Sequence, residues 1–190
     1  MTTTLKIDFV SDVACPWCAI GLASFEQALK DVGADIAVEL HFQPFELNPT
    51  MGTEGADAAE YLIAKYGMSR EQLAESRKRI AERGAAVGFT FGERKRVWST
   101  FDAHRLLHWA GVEGPPGSQH ALKRALLRAY HGDGRNPSAH AVLLPSLDVD
   151  SVEIGSRQVP LEAEPTAALA ATLAESRFWK SELQVFLGNA

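Results

Sequence analysis

The sequence predicts an α/β fold in which a strand–helix–strand unit is followed by a block of helices. Two patterns predict this order. Apolar and polar residues alternate at 5–9 and 36–43, and apolar residues recur at helical spacing between and after these segments. The 190 residues are 46% hydrophobic and 23% charged, which suits one well-cored domain or one domain with an insertion.

The opening strand–helix–strand unit is the clearest pattern in the chain. The first strand alternates Leu5, Ile7 and Phe9 with polar residues, and the helix after it ends near Gly33, a common residue at a helix C-terminus. The second strand alternates over 36–43 and ends at Pro44. Strands joined by one helix are predicted to be parallel, with a right-handed crossover.

Helical patterns follow a turn-rich loop at 48–57. We predict helices at about 57–66, 69–87, 98–110 and 118–131, and Ser69 with Gln72 has the spacing of a capping box. Further along, the pattern predicts a short strand at 151–154 and a helix at 165–187. The chain therefore ends with a strand and a helix.

The chain contains only two cysteines, and both lie in the motif Cys15-Pro16-Trp17-Cys18 at the first strand-to-helix junction. Proline suits the first helical position, which makes Cys15 the helix N-cap. Free amide hydrogens and the helix dipole stabilise a thiolate there, so we predict Cys15 as the nucleophile. Cys18 lies one turn further and is the predicted resolving thiol. Trp17 offers an apolar surface to a substrate, or packs on the helical block.

Two other interpretations of the cysteines compete with a redox pair. Tetrahedral zinc needs two more ligands, and among the histidines only His104 and His108 have a suitable spacing, which also fits one helix face. The second alternative is a pair of inert, buried cysteines, and it is disfavoured because Pro-Trp between them at a helix start is unusual packing. We therefore predict redox chemistry and no metal.

The net charge and the lack of a targeting or membrane-spanning pattern argue against nucleic-acid-binding and membrane proteins. The net charge of −5 gives no broad basic surface, so nucleic acid is not an expected partner. The first residues lack a basic segment followed by an apolar run, and no later segment has the length of a membrane span. We expect a soluble cytoplasmic protein without membrane contact, in which a disulfide is transient and catalytic.

With the motif placed, the chain resembles the DsbA-like thioredoxin-fold proteins, and among them the FrnE-type cytoplasmic branch. The resemblance spans about residues 5–140. Its most specific part is the stretch from Asp8 to Cys18. The other matching stretches are 20–21, 42–49, 60–62, 65–67 and 99–106.

The resemblance implies an α/β thioredoxin-like fold with an inserted all-helical domain. The thioredoxin-like domain would comprise 1–50 and 146–190, and the insert 51–145. It also implies a thiol–disulfide oxidoreductase or isomerase whose redox pair is Cys15 and Cys18, with Pro16 and Trp17 in the active-site motif. His104 matches a family histidine on a helix that faces the cleft. No bound cofactor is implied, and glutathione is the expected redox partner.

The region after residue 140 departs from the family pattern, and two alignments stay open. In one, Val159 and Pro160 form the loop whose cis-proline faces the redox pair and contacts substrate. In the other, residues 175–181 match the helix that precedes this loop, and the chain stops before it. Missing last strands would expose a sheet edge, which favours a homodimer.

Three functional hypotheses follow. The first is an enzyme that exchanges disulfides of protein or small-molecule substrates through a mixed disulfide of Cys15, resolved by Cys18. The second is a glutathione-dependent isomerase or kappa-type transferase, such as 2-hydroxychromene-2-carboxylate isomerase; these related proteins characteristically have a serine in place of the first cysteine. The third is a non-catalytic chaperone or biosynthetic-pathway accessory protein.

Overall fold

The structure, a computed structural model, describes residues 3–33, 36–139, 151–154 and 157–160. Its contacts divide the chain into two units, Met1–Leu147 and Asp148–Ala190. The first unit holds the strand–helix–strand start and the helical block. The described part of the second unit is a hairpin, and each unit is described by itself.

The predicted strand–helix–strand unit is confirmed. Strand β1, Thr3–Ser11, pairs in parallel with β2, Ile36–Pro44, in a register that runs from Thr3 opposite Ile36 to Ser11 opposite Pro44. Helix α1, Pro16–Val32, connects them, and Gly33 ends it with φ +70° while its N–H donates to the Leu29 carbonyl. Only glycine adopts such a φ at little cost, which explains this residue at the helix end.

The four predicted helices of the block are also present, joined by a short strand pair that the sequence pattern did not predict. Strand β3, Ala56–Asp57, precedes α2, Ala58–Tyr66, and α3, Arg70–Ala86, begins at the predicted capping box of Ser69 and Gln72. Strand β4, Arg96–Val97, pairs with β3, so α4, Phe101–Val112, begins three residues later than predicted. In the described ranges, no helix has the length and apolarity needed to cross a membrane.

The last predicted helix changes its winding near its end. Helix α5, Ser118–Leu127, continues into a π-helical turn, Arg128–Gly132, closed by the Asp133 N–H on the Arg128 carbonyl at 3.1 Å. Two adjacent side chains of this turn, Tyr130 and His131, enter the core, where they are 0% and 3% exposed.

The helical block packs directly on the turn that carries the cysteines. One core cluster joins Val13 and Ala14 of this turn to the buried faces of α4 and α5; its other members are Ala103, Leu106, Leu107, Ala110, Leu122, Leu126 and Tyr130. A second cluster places Leu127 of α5 against α1 and the sheet, with Ala19, Leu22 and Phe42. The helices therefore help to build the cysteine site.

The second unit contains strand β5, Ser151–Ile154, at the position predicted for a strand, paired antiparallel with β6, Arg157–Pro160. The expectation of a cis-proline loop at Val159–Pro160 is corrected, because these residues lie in β6 opposite Val152 and Ser151. No cis peptide bond occurs in the described backbone. Proline is tolerated at the end of an edge strand because its missing N–H is not needed there. The helix predicted at 165–187 lies outside the described residues, as does the alternative match at 175–181.

Gly92 supports the π-helical turn by close backbone contact, and its replacement tests this packing. Its N–H donates to the His131 carbonyl at 2.9 Å, and a Cβ at Gly92 would collide with the Gly132 carbonyl oxygen. Gly92→Ala should lower the free energy of unfolding by about 1–3 kcal/mol, the usual cost of overpacking. Urea denaturation measures this.

The matched control is Gly52→Ala, because a Cβ at Gly52 meets no atom within 4 Å. We expect a change within about 0.5 kcal/mol for this surface substitution. Equal, small losses for the two variants would contradict the proposed role of the close approach.

Candidate active site at the Cys15–Cys18 turn

The two cysteines lie where β1 passes into α1. The Cys15 N–H donates to the Asp12 carbonyl oxygen at 3.2 Å, and Cys15 is the N-cap of α1, with Pro16 at the first helical position. The Cys15 carbonyl accepts the Cys18 N–H at 3.1 Å, so the second cysteine follows within one turn. Both side chains are half-buried free thiols. The predicted placement at a helix N-terminus is confirmed.

The surroundings separate the two thiols in acidity. The side-chain hydrogen bond from Cys18 is the main cause that lowers the pKa of Cys15 to about 6, and the N–H groups of Cys18 and Trp17 add to it against burial and the charge of Asp12. The same hydrogen bond, followed by burial and the negative charge of Cys15, raises the pKa of Cys18 far above its usual value. At neutral pH the site therefore holds a Cys15 thiolate beside a Cys18 thiol.

A buried carboxylate, Asp12, organises the turn. It is 1% exposed. It accepts hydrogen bonds from the N–H of Ala14 at 3.0 Å, the N–H of Leu47 at 2.7 Å and the Thr100 hydroxyl at 2.8 Å. The fourth partner is His104, whose Nε2 lies 3.2 Å from Oδ1. Burial raises the pKa of Asp12, but these hydrogen bonds outweigh it and hold the pKa below its ordinary value. Asp12 is therefore ionised at neutral pH.

His104 lies beneath the turn and serves as a support for Asp12. Its side chain is 4% exposed on α4, and burial is the main cause that lowers its pKa, against the opposing effect of Asp12. A neutral imidazole next to an ionised carboxylate donates its Nε2 hydrogen. His104 thus packs in the core and supports Asp12. A role of His104 in substrate binding, suggested by the family resemblance, stays a prediction.

The exposed residue of the motif is Trp17. Its side chain is 54% exposed, so it does not pack into the helical block. Phe45, just after β2, is similarly exposed, and its neighbour Leu47 donates to Asp12. Val159 and Pro160 belong to the other unit, and their predicted substrate contact stays a prediction.

The sequence pattern did not predict two charged residues near the cysteine turn, Lys123 and Glu46. Lys123 on α5 is 1% exposed; burial lowers its pKa to about 8, although the charges of Asp12, Cys18 and Cys15 raise it. Glu46 is half-buried, and burial together with the charges of Asp12 and Asp102 raises its pKa to about 7. The burial of Lys123 could have been predicted from the sequence, because this residue lies on the apolar stripe of its helix, beside Leu122 and one turn before Leu127. Glu46 lies in no comparable pattern.

The described residues offer no set of ligands for a metal ion. No group of three or more histidine, cysteine or carboxylate side chains gathers within residues 3–33 and 36–139. His104 is engaged with Asp12, and Asp12 with four donors in all.

Known proteins resemble this chain over most of the described region. The model of the DSBA-like thioredoxin domain matches residues 6–149. The crystal structure of a probable DsbA oxidoreductase from Streptomyces coelicolor is 34% identical, with a TM-score of 0.67 over 76% of this chain and 63% of that one. A 2-hydroxychromene-2-carboxylate isomerase shares the fold, with a TM-score of 0.56 and 13% identity over 90% of this chain and 72% of its own.

A shorter match is to the uncharacterized protein YwbO of Bacillus subtilis (strain 168), which is 47% identical over 47 residues. These residues are 25% of this chain and 22% of that protein. The chain thus spans less than two thirds of the length of both this relative and the Streptomyces protein.

The role of Asp12 can be tested by replacing its carboxylate with an amide. Asp12→Asn should lower the free energy of unfolding at pH 7 by about 3 kcal/mol, since an NH₂ group cannot accept the hydrogen bonds that the carboxylate oxygen accepts. The folded-state pKa is depressed, so the stability from Asp12 is present above the unfolded pKa of roughly 3.9 and is lost as pH falls through the folded value. The difference between wild type and variant should therefore begin to shrink as the pH falls below about 4.

Asp133→Asn is the control, because Asp133 is an exposed carboxylate after the π-helical turn. Urea denaturation at pH 7, 5 and 3 gives the comparison. A loss for Asp12→Asn that stays constant over this range would mean that the charge of Asp12 contributes nothing to stability.

Proposed function

The chain belongs to the family of DSBA-like thioredoxin domains, and on this premise we propose that it catalyses thiol–disulfide exchange through Cys15 and Cys18. Membership confirms the predicted DsbA-like family and the thioredoxin-like α/β fold with inserted helices. The observation that carries the proposal is a pair of free thiols, Cys15 at the N-cap of α1 and Cys18 one turn later, whose surroundings lower the pKa of Cys15 and raise that of Cys18.

The reaction runs through a mixed disulfide. The Cys15 thiolate attacks one sulfur of a substrate disulfide; the substrate S–S bond breaks, and the leaving sulfur departs as a thiolate that takes a proton from water. Cys18 then loses its proton and attacks the Cys15 sulfur. The second substrate thiolate leaves, and the Cys15–Cys18 disulfide forms. The reverse sequence oxidises a substrate dithiol.

The low pKa of Cys15 favours the direction in which the Cys15–Cys18 disulfide oxidises a substrate dithiol. A stabilised thiolate makes the corresponding disulfide a stronger oxidant, because the reduced form is the one that gains stability. With a Cys15 pKa of about 6, we expect the pair to be more oxidising than a dithiol of ordinary acidity. Oxidation of a substrate dithiol leaves Cys15 and Cys18 reduced, and glutathione disulfide is the proposed partner that reoxidises them; in the opposite direction, glutathione itself reduces the Cys15–Cys18 disulfide.

Apolar side chains at the site support a peptide or small apolar substrate. Trp17 and Phe45 are each about half exposed, at 54% and 51%. Such side chains bury apolar area on binding. We propose thiols and disulfides of proteins or small molecules as substrates. The FrnE-type branch, a cytoplasmic location, a homodimer and the domain boundaries stay predictions.

The test of Cys15 acidity uses the hydrogen bond from Cys18. Alkylation of the reduced protein with limiting iodoacetamide should label Cys15 first, with a rate midpoint at a pH of about 6. Cys18→Ser keeps a hydroxyl donor and should keep this midpoint low. Cys18→Ala removes the donor, so the midpoint should rise toward the ordinary value of roughly 8.5. First labelling of Cys18, or equal midpoints for the two variants, would contradict the assignment.

The exchange activity is tested with the two serine variants, each serving as the control for the other. In an insulin-disulfide reduction assay with glutathione, Cys15→Ser should lose all activity above the uncatalysed rate and form no adduct. Cys18→Ser should also turn over poorly but accumulate a mixed disulfide at Cys15, visible by mass spectrometry.

Glutathione affinity, measured in parallel by calorimetry, separates the alternatives. Tight non-covalent binding of glutathione without exchange would replace the proposal with a glutathione-dependent isomerase or transferase. Full biological activity of Cys15→Ser would replace it with a non-catalytic role.

A further inference from the structure

Lys123 is buried where a helix that only needed packing would carry an apolar residue. It is 1% exposed and lies among Leu122, Leu126 and Leu127 on the inner face of α5. Lysine is almost never fully buried unless it is paired, because an ammonium group loses its hydration. Leucine or methionine would fill this space without that cost. The position therefore points to a use of the amine.

The helix holds Lys123 in a fixed place over the sheet. One turn earlier, Gln119 accepts the Phe42 N–H at 3.0 Å and donates to the Phe42 carbonyl at 3.2 Å, which ties α5 to β2. The Lys123 Nζ lies 5.9 Å from the centre of the Phe42 ring. The amine is therefore held on an apolar floor, away from water.

The charges that act on this amine come from the cysteine turn. The residues on either side of the cysteines pack with this part of α5: Val13 and Ala14 share a core cluster with Leu122 and Leu126, and Ala19 shares one with Leu127 and Phe42. At this short range Asp12 and both cysteines interact electrostatically with Lys123. The carboxylate of Asp12 already accepts four hydrogen bonds from other groups. Asp12 keeps a constant charge, so the two sulfurs are the neighbours whose charge changes during exchange.

We propose that Lys123 takes the proton of Cys18 when Cys18 resolves the mixed disulfide, an inference that rests on the proposed exchange activity. In this step the Cys18 S–H bond breaks and its proton moves to the neutral amine. The Cys18 thiolate attacks the Cys15 sulfur, the Cys15–substrate bond breaks, and the substrate sulfur leaves with the electron pair. Lys123 then passes its proton to solvent.

Formation of the mixed disulfide itself prepares the amine for this role. In the reduced protein, the Cys15 thiolate helps to hold the pKa of Lys123 near 8 against burial. Once Cys15 is bonded to substrate, this negative charge is gone, and the pKa of Lys123 falls. The amine is then neutral at a lower pH, at the moment when Cys18 must lose its proton. The resulting ammonium stabilises the Cys18 thiolate.

The other titratable groups around Lys123 do not compete for this proton. His104 from α4 and His131 from the π-helical turn both interact with it electrostatically. Burial lowers the pKa of each histidine, to about 3 for His131, whose Nε2 lies 2.9 Å from the Val13 carbonyl. Both are engaged and neutral near pH 7. Asp12 is ionised and fully hydrogen-bonded.

A chromogenic aromatic disulfide, 5,5′-dithiobis(2-nitrobenzoate), separates the two steps in a stopped-flow experiment. The first coloured thiolate is released when Cys15 attacks, and the second when Cys18 resolves the adduct. Lys123→Met removes the amine at similar volume. We expect the second release to slow by about 100-fold near pH 7. Its rate should then rise about tenfold per pH unit, as for attack by a thiol without a local base. The first release should change much less.

Lys78→Met, an exposed lysine on α3, is the matched control and should behave as wild type in both releases. Lys123→Arg separates proton transfer from a fixed charge, because arginine keeps its proton at these pH values. We expect it to resemble Lys123→Met in the second release. Where the arginine variant does not fold, the pH profile of Lys123→Met alone decides.

A second release from Lys123→Met with wild-type rate and pH profile would overturn this proposal, as would full rescue by arginine. These outcomes leave the exchange activity intact, because wild type still releases two thiolates. Failure of the exchange proposal has a different signature, in which wild type releases none, or releases only one and accumulates the adduct. Circular dichroism and urea denaturation of each variant confirm that the comparison is made on folded protein.

Discussion

The site depends on the buried carboxylate of Asp12, whose four hydrogen bonds join three separate parts of the chain. Its oxygens hold the cysteine turn through Ala14, the segment after β2 through Leu47, and α4 through Thr100 and His104. A carboxylate is costly to bury, and only this set of donors makes it stable there. Because the donors come from distant segments, the buried carboxylate is fully hydrogen-bonded only when the helical block is docked on the turn.

The helical block therefore shapes the chemistry as well as covering the sheet. Tyr130 and Val13 belong to the same core cluster, and His131 donates to the Val13 carbonyl at 2.9 Å. Tyr130 and His131 both belong to the π-helical turn, which therefore packs against the segment that carries the cysteines. A substitution within the π-helical turn should therefore alter the position of the cysteine turn through these contacts.

Opposing effects on the two thiols give Cys15 and Cys18 different pKa values. The hydrogen bond from Cys18 and the amides at the helix start lower the pKa of Cys15, and together they outweigh burial and the charge of Asp12, which raise it. The shared hydrogen bond makes one thiol acidic at the expense of the other. That difference creates a nucleophile but leaves Cys18 with a proton that is hard to remove. A buried amine with a depressed pKa, Lys123, is suited to this second problem.

The sequence by itself determined the features that depend on neighbours along the chain. Cys15 as N-cap, Pro16 at the first helical position and the capping box of Ser69 and Gln72 all rest on contacts within one turn, and periodicity located β1, α1, β2 and the helices. Tertiary structure decided the partners of Asp12, the burial of Lys123, the β3–β4 pair and the placement of Val159 and Pro160 in a strand. The partners of Asp12 lie as far as 92 positions along the chain, as for His104. No local pattern specifies which distant donors meet a carboxylate, because that is set by how the helices pack on the sheet.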